Sequence, residues 1–318
     1  MTAPDAPTRL VGDIGGTNAR FALLDADGAP GTPTTYRTGD YPGLVDAVRA
    51  FVAERGSPRL VAAAVAVANP VTGDLAKLTN NDWSFSIAAA RDALGLETLH
   101  VVNDFTALAL SLPHLPAAEL VQVGGGAAEP HHAMAVIGPG TGLGVSGLVP
   151  CGERYTALQG EGGHVSFAPQ NARERDVLAR LAERFGHVSF ERLLSGPGLV
   201  NVAEALRAID GAPALGMSPA ELTAAALDGR DAAAEEALGI FCRALGACAG
   251  DLVLTLGAEG GCYVGGGIVP RLGERFASSG FREAFEAKGR MRAYLERVPT
   301  FVIHAPYPAL VGAARLLD

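Results

Sequence analysis

Two spacings of apolar residues alternate along this chain. Period-two or β-branched runs at Leu10–Asp13, Arg20–Leu24, Thr34–Arg37, Leu60–Val67 and Leu99–Asn103 predict strands. Helical spacing occupies Leu44–Glu54, Ile87–Leu94 and the stretch after Asn103. Consecutive strands followed by alternating helix and strand predict an α/β sheet. A second strand series starts at Met134–Ile137, continues through Leu143–Val149 and returns at Arg154–Leu158. Beyond Pro169 the spacing is helical over Ala172–Phe185, Pro197–Ile209, Pro219–Leu227 and the alanine-rich Ala232–Leu256. Cys262–Val264 and Phe301–His304 read as strands, and a short helix closes the chain.

A strand–glycine turn–strand unit therefore occurs twice, at 10–24 and 134–149. The candidate boundary between domains lies around Leu112–Pro116, where two prolines flank His114 and Leu115. The string GHVSF stands at 163–167 and again at 186–190, too short to establish a duplication.

Composition narrows the classes. A length of 318 residues favours about two domains, and 48% hydrophobic against 19% charged residues suits a globular core. A net charge of -9 without any basic run argues against nucleic acid, whose phosphates need a basic face. The apolar run LVAAAVAVA at 60–68 is too short to span a bilayer, and MTAPDAPTR lacks the form of a signal peptide. The four cysteines, Cys151, Cys242, Cys248 and Cys262, show no Cys-x-x-Cys spacing. A cytoplasmic protein with reduced thiols and no membrane partner is the expectation.

The candidate chemistry begins in the glycine turns. Gly12-Asp13-Ile14-Gly15-Gly16-Thr17-Asn18 brings backbone N–H groups and the Thr17 hydroxyl to where an anion could sit. Asp13 would repel a phosphate directly, so a magnesium ion or its water is expected between them. An ordinary tight hairpin would use similar residues. Gly138-Pro139-Gly140-Thr141-Gly142-Leu143-Gly144 is a second phosphate cradle or a plain flexible hairpin. Gly142 to Gly147 formally matches G-x-G-x-x-G, but a strand and not a helix follows, so no dinucleotide site is expected. No P-loop pattern occurs. The third cluster, Gly265-Gly266-Gly267, suits a strand-to-helix turn or close approach to a nucleotide base or ribose.

Asn103-Asp104 sits at the seam of a strand and a helix, where either residue would serve as a helix cap. Glu161 and His164 flank two glycines that forbid the helix face of a histidine metal motif, and His164 alone is an ordinary hydrogen-bonding residue. Glu191 alone is a first-turn acid complementing a helix dipole. Together, Asn103, Asp104, Glu161, His164 and Glu191 offer many acceptors, few donors and little cationic charge. That set suits a neutral polyhydroxylated ligand.

LVGDIGGTNARFALLD, VVNDFTA, GPGTGLGVS, GEGGHVSFAP, ERLLSGPGLVN and GGGIVPR, in this order, resemble the bacterial glucokinase family of the hexokinase–actin–Hsp70 superfamily. The resemblance covers about Arg9 to Gly312. It implies two ribonuclease-H-like α/β domains, 1–113 with 306–318 and 114–305, closing over a cleft. ATP with magnesium would lie on Gly12, Asp13, Ile14, Gly15, Gly16 and Thr17 and on Gly140, Thr141 and Gly142, with adenosine near Gly265, Gly266 and Gly267. Glucose would be held by Asn103, Asp104, Glu161, His164 and Glu191, with Asp104 as general base and Asp13 holding magnesium through water. The segment Thr79–Trp83 looks like a family loop near the cleft, and Trp83 equally suits the core. The family also implies a homodimer. No cysteine lies within ten residues of His164, which sets aside the zinc-binding repressor–kinase branch. The competing readings are a kinase for another hexose or amino sugar, an actin- or Hsp70-like ATP-binding module, and an exopolyphosphatase-like enzyme.

Overall fold

The computed structural model describes residues 7–78 and 81–318. The chain divides into two compact units. One runs to Leu115 and takes back Ala305–Asp318, and the other spans Pro116–His304.

The first unit is built on β1 (Thr8–Ile14), β2 (Asn18–Leu23), β3 (Thr34–Arg37), β4 (Leu60–Val67) and β7 (Thr98–Asn103), with a small hairpin of β5 (Leu75–Lys77) and β6 (Ser84–Ser86). Its helices are α1 (Leu44–Ala53), α2 (Ile87–Leu94) and α3 (Asp104–Ser111). The sheet order is β3-β2-β1-β4-β7. The first three strands are antiparallel, and β4 and β7 run parallel to β1. Alternation sends Leu10, Ile14, Phe21 and Val65 to one face, against Leu44, Val48 and Phe51 of α1. Val11, Ala22 and Ala64 face the other way, onto Leu310, Ala313 and Ala314 of the C-terminal helix Pro308–Ala314. Burial on both faces is why β4 reads as an unbroken apolar run.

The second unit contains β8 (Leu120–Val123), β9 (Met134–Pro139), β10 (Leu143–Cys151), β11 (Arg154–Gln159), β12 (Cys262–Val264) and β13 (Thr300–Ile303), in the order β11-β10-β9-β12-β13-β8. Three antiparallel strands are again followed by two parallel to the first, with β8 antiparallel on the outer edge. Without β8, this is the first sheet repeated. The turns β1–β2 and β9–β10 therefore occupy equivalent places. Helices α4 (Ala172–Phe185), α5 (Gly196–Ile209), α6 (Pro219–Leu227) and α7 (Ala232–Leu256) precede three short ones, α8 (Glu274–Ala277), α9 (Phe281–Glu286) and α10 (Arg292–Leu295). By length and composition α7 could cross a membrane, but most of it is buried inside the protein. Its Phe241, Leu245 and Ala249 join Phe281 and Phe285 of α9 in the core. Gly246 permits that approach, since a Cβ there would overlap the Phe281 carbonyl oxygen.

The strands and helices expected from spacing hold to within two residues at either end. The hairpin β5–β6, strand β8 and helices α8 to α10 were not expected.

Candidate active site

In the first unit, Asp13 lies inside β1 and pairs directly across the ladder with Arg20 of β2. The Arg20 Nη1 stands 3.3 Å from Asp13 Oδ2, and the guanidinium sits 5.8 Å from the Tyr307 ring centroid. The turn that follows is held by its own backbone: the Gly15 N–H donates to Asn18 O at 2.9 Å. Thr38 Oγ1 donates to the Gly16 carbonyl at 2.8 Å, and Asn81 Nδ2 to the Gly15 carbonyl at 3.2 Å. Thr17 is exposed beside them. Ile14 points into the core, so only its backbone is available to a ligand. Gly12 has a packing reason to be glycine, because a Cβ there would stand 3.0 Å from the Phe21 ring.

Asn103, and not Asp104, caps α3. Its side-chain oxygen accepts the Phe105 N–H at 2.9 Å and the Thr106 N–H at 3.3 Å. Asp104 is the first helical residue, with Oδ1 accepting the Phe105 N–H at 2.9 Å. The strand leading to it is the half-buried edge strand β7. Burial raises the Asp104 carboxyl to about 6, the negative charge of Asp13 adds to this, and the helix N–H groups oppose it. Asp13 is raised too, since desolvation outweighs the neighbouring Arg20 cation. Arg20 is the residue that sequence reading passed over. Its signal was the hairpin register, which sets it opposite Asp13.

In the second unit, the repeated pentapeptide explains itself: its two copies pair with each other. Ser166 and Ser189 form an antiparallel bridge, with Phe167 N–H donating to Val188 O at 2.9 Å and Phe190 N–H to Val165 O at 3.0 Å. Phe167 and Phe190 meet edge to face at 5.6 Å. Two residues along the same register, His164 opposes Glu191, with Nδ1 and Oε1 3.8 Å apart. Glu161 stands 3.9 Å from Nε2 of the same imidazole. Gly162 and Gly163 do not exclude helix here, because Gly162–His164 makes one 3-10 turn that brings Glu161 and His164 together. Both gaps are too long for direct hydrogen bonds, which leaves these groups able to take hydroxyls. Among the described residues, no group of three or more His, Cys, Asp or Glu side chains could hold a metal ion.

The second and third glycine turns are neighbours. The Gly265 N–H donates to Ile137 O at 2.8 Å. Gly266 has φ of 79°, and a Cβ on it would overlap the Pro139 carbonyl oxygen. At Gly140 and Gly267, by contrast, a Cβ would meet nothing within 4 Å, so these glycines leave open space. Thr141 is exposed at the turn's tip. Of the Thr79–Trp83 loop, Thr79 and Asn80 lie outside the described residues. Trp83 is a core residue, 3% exposed, whose Nε1–H donates to Tyr41 O at 3.0 Å. A cavity of about 270 Å³ lined by Val48, Arg49, Pro58 and Leu94 contains none of these groups.

A twice-built sheet of this order, with a glycine turn after each first strand, defines the class of actin-like two-domain sugar kinases. Within it, the crystal structure of glucokinase from an Antarctic psychrotroph matches with a TM-score of 0.90 and 36% identity, covering 98% of this chain and 99% of that one. The Glucokinase family profile matches residues 10–318, and the chain belongs to that family. It is 56% identical to a glucokinase of Chromobacterium violaceum, over 99% of this chain and 91% of the relative. A glucokinase of Aromatoleum aromaticum is 54% identical, over 99% and 96%.

Proposed function

We propose that this protein transfers the γ-phosphoryl group of ATP to the 6-hydroxyl of D-glucose. The observation that carries the chemistry is the Asp104 carboxyl, lifted to about 6. At neutral pH it is ionised yet basic enough to accept a hydroxyl proton. As O6 attacks the γ-phosphorus, the O6 proton passes to Asp104 and ADP leaves with the electrons of the broken P–O bond. Asn103 holds the first turn of α3, and hence Asp104, in place through its cap. Glu161, His164 and Glu191 supply the acceptors and the donor that hydroxyls of a neutral hexose require.

The open space at Gly140 and Gly267 and the turn N–H groups that follow Gly15 and Gly140, whose own N–H groups close the turns onto Asn18 O and Gly142 O, support phosphate and adenosine binding there. Asp13 and Asp104 are hard oxygen donors whose charges repel, a fit for a hard divalent cation that keeps most of its water. Magnesium held through water by Asp13 would neutralise charge on the phosphate oxygens. Arg20 keeps Asp13 in place for that contact.

The test is glucose-dependent ADP formation with magnesium-ATP across a panel of hexoses and amino sugars. Preference for mannose or N-acetylglucosamine would replace glucose as substrate. ATP hydrolysis indifferent to every sugar would remove the kinase reading.

A further inference from the structure

Glu191 divides its carboxylate between two neighbours of different kinds. Its Oε2 accepts the Leu143 N–H at 2.9 Å, at the end of the Gly140–Gly142 turn, while Oε1 faces His164. Gly142 makes room for this, because a Cβ there would come within 2.6 Å of Oε2. A few residues on, the Gly196 N–H donates to the Gly140 carbonyl at 2.8 Å. Ser195 Oγ donates to the Glu191 carbonyl at 2.9 Å and accepts the Gly198 N–H at 3.0 Å, which fixes the backbone between. The Glu161–His164 turn presses on the same strand. A Cβ at Gly163 would overlap the Leu143 carbonyl oxygen, and one at Gly162 would stand 2.7 Å from the Val145 side chain.

We propose that Glu191, besides binding sugar, is the positioning residue of the Gly140–Gly142 phosphate turn. This rests on the glucokinase reading and adds a coupling to it. The Leu143 N–H needs an acceptor, and a carboxylate is a strong one. A sugar hydroxyl on Oε1 fixes the same Glu191 rotamer that the Leu143 N–H requires. The second ligand then meets a side chain already ordered, so hexose and nucleotide strengthen each other's binding by the same factor. A glutamate serving sugar alone would leave nucleotide binding indifferent to it.

The experiment is calorimetric titration of a non-hydrolysable ATP analogue with magnesium, without sugar, into wild type, Glu191→Ala and Glu191→Gln. Glu191→Ala should bind the analogue about tenfold more weakly, the loss of one hydrogen bond to a charged group. Glu191→Gln, whose amide oxygen can still accept from Leu143, should stay near wild type. Both should raise the glucose KM. Unchanged analogue affinity in Glu191→Ala overturns the proposal. Should Glu191→Ala fail to fold, Gly142→Ala reads the contact from its other side. Its Cβ displaces Oε2, so the glucose KM should rise at saturating ATP although no sugar-binding side chain was touched, and an unchanged KM overturns the proposal equally. A wild type that forms no ADP in response to glucose refutes the kinase reading instead, while the sugar-free titration still decides the positioning role.

Discussion

Gly312 of the C-terminal helix lies so close to Ala107 of α3 that a Cβ on it would overlap the Ala107 carbonyl oxygen. Asp104 is the first residue of that same α3. Gly312→Ala must therefore push the two helices apart or shift α3. Overpacking of this kind costs about 3 kcal/mol. The melting midpoint should fall by at least about 5 °C, and kcat per folded molecule should fall with it as the first turn of α3 moves. An unchanged midpoint would show that the two helices are not seated on each other in solution.

Asp104→Asn keeps the size of the side chain and removes the carboxylate proposed as the base. Its kcat should drop by roughly 10²–10⁴-fold, with little change in the KM for ATP. In the wild type, kcat/KM for glucose should decline about tenfold per unit below pH 6, as the carboxyl raised to about 6 takes up its proton. Near-wild-type turnover by the asparagine variant would reduce Asp104 to a binding residue.

The same carboxyl affects stability in a calculable direction. Its folded value of about 6 exceeds the ordinary 3.8, so the folded protein binds this proton more tightly than the unfolded chain. Asp104 therefore costs stability above pH 6, and that cost fades as pH falls through 6 towards 4. Asp104→Asn should be more stable than wild type at pH 8, by at most about 3 kcal/mol and less to the extent that water reaches this half-buried group. The gain should be gone at pH 4, as urea midpoints at the two pH values would reveal.

His164→Ala removes the one imidazole between Glu161 and Glu191. Steady-state kinetics should show the glucose KM raised by up to about tenfold, the equivalent of one hydrogen bond to a sugar hydroxyl lost. The KM for ATP should change far less if His164 serves the sugar as proposed. A rise confined to ATP would exchange the assigned roles.

The parts of this fold legible from spacing are those where one face or the whole element is buried. Ala172–Phe185, Leu60–Val67 and Ala232–Leu256 keep their expected bounds because their apolar patterns are long. Strand β8 has only Val123 buried among its four residues, and β13, far away in sequence, supplies its partner. Helices α8 to α10 are each too short for a period to register. The candidate site divides similarly. Its residue types could be read from the chain, but the contact of Asp13 with Arg20 needed the hairpin register. The approach of His164 to Glu191 needed the pairing of two pentapeptides that looked coincidental. The reason for Gly142 also lies far downstream at Glu191, in a carboxylate that local sequence does not display.

Arg282 supplies a control far in character from the chemistry. Its side chain is 12% exposed and spends its donors within the second unit. Nε donates to Glu286 at 2.6 Å, Nη1 to Val298 O at 2.8 Å, and Nη2 to Leu295 O at 3.0 Å and Glu296 O at 3.2 Å. The guanidinium also lies over Phe285, 4.8 Å from its centroid. One planar fork thus ties α9 to the end of α10 and to the strand that follows. Arg282→Met would keep the stem but leave Glu286 with only Arg292 at 3.5 Å and strip these carbonyls of their donor, a loss of about 3 kcal/mol. Arg282→Lys should recover only part of it, because an ammonium cannot reproduce the fork. Both variants should keep wild-type KM values in their folded fraction, since none of these partners belongs to the sugar or phosphate sets. Denaturation midpoints that match wild type would show the fork to be dispensable, and altered KM values would tie it to the site after all.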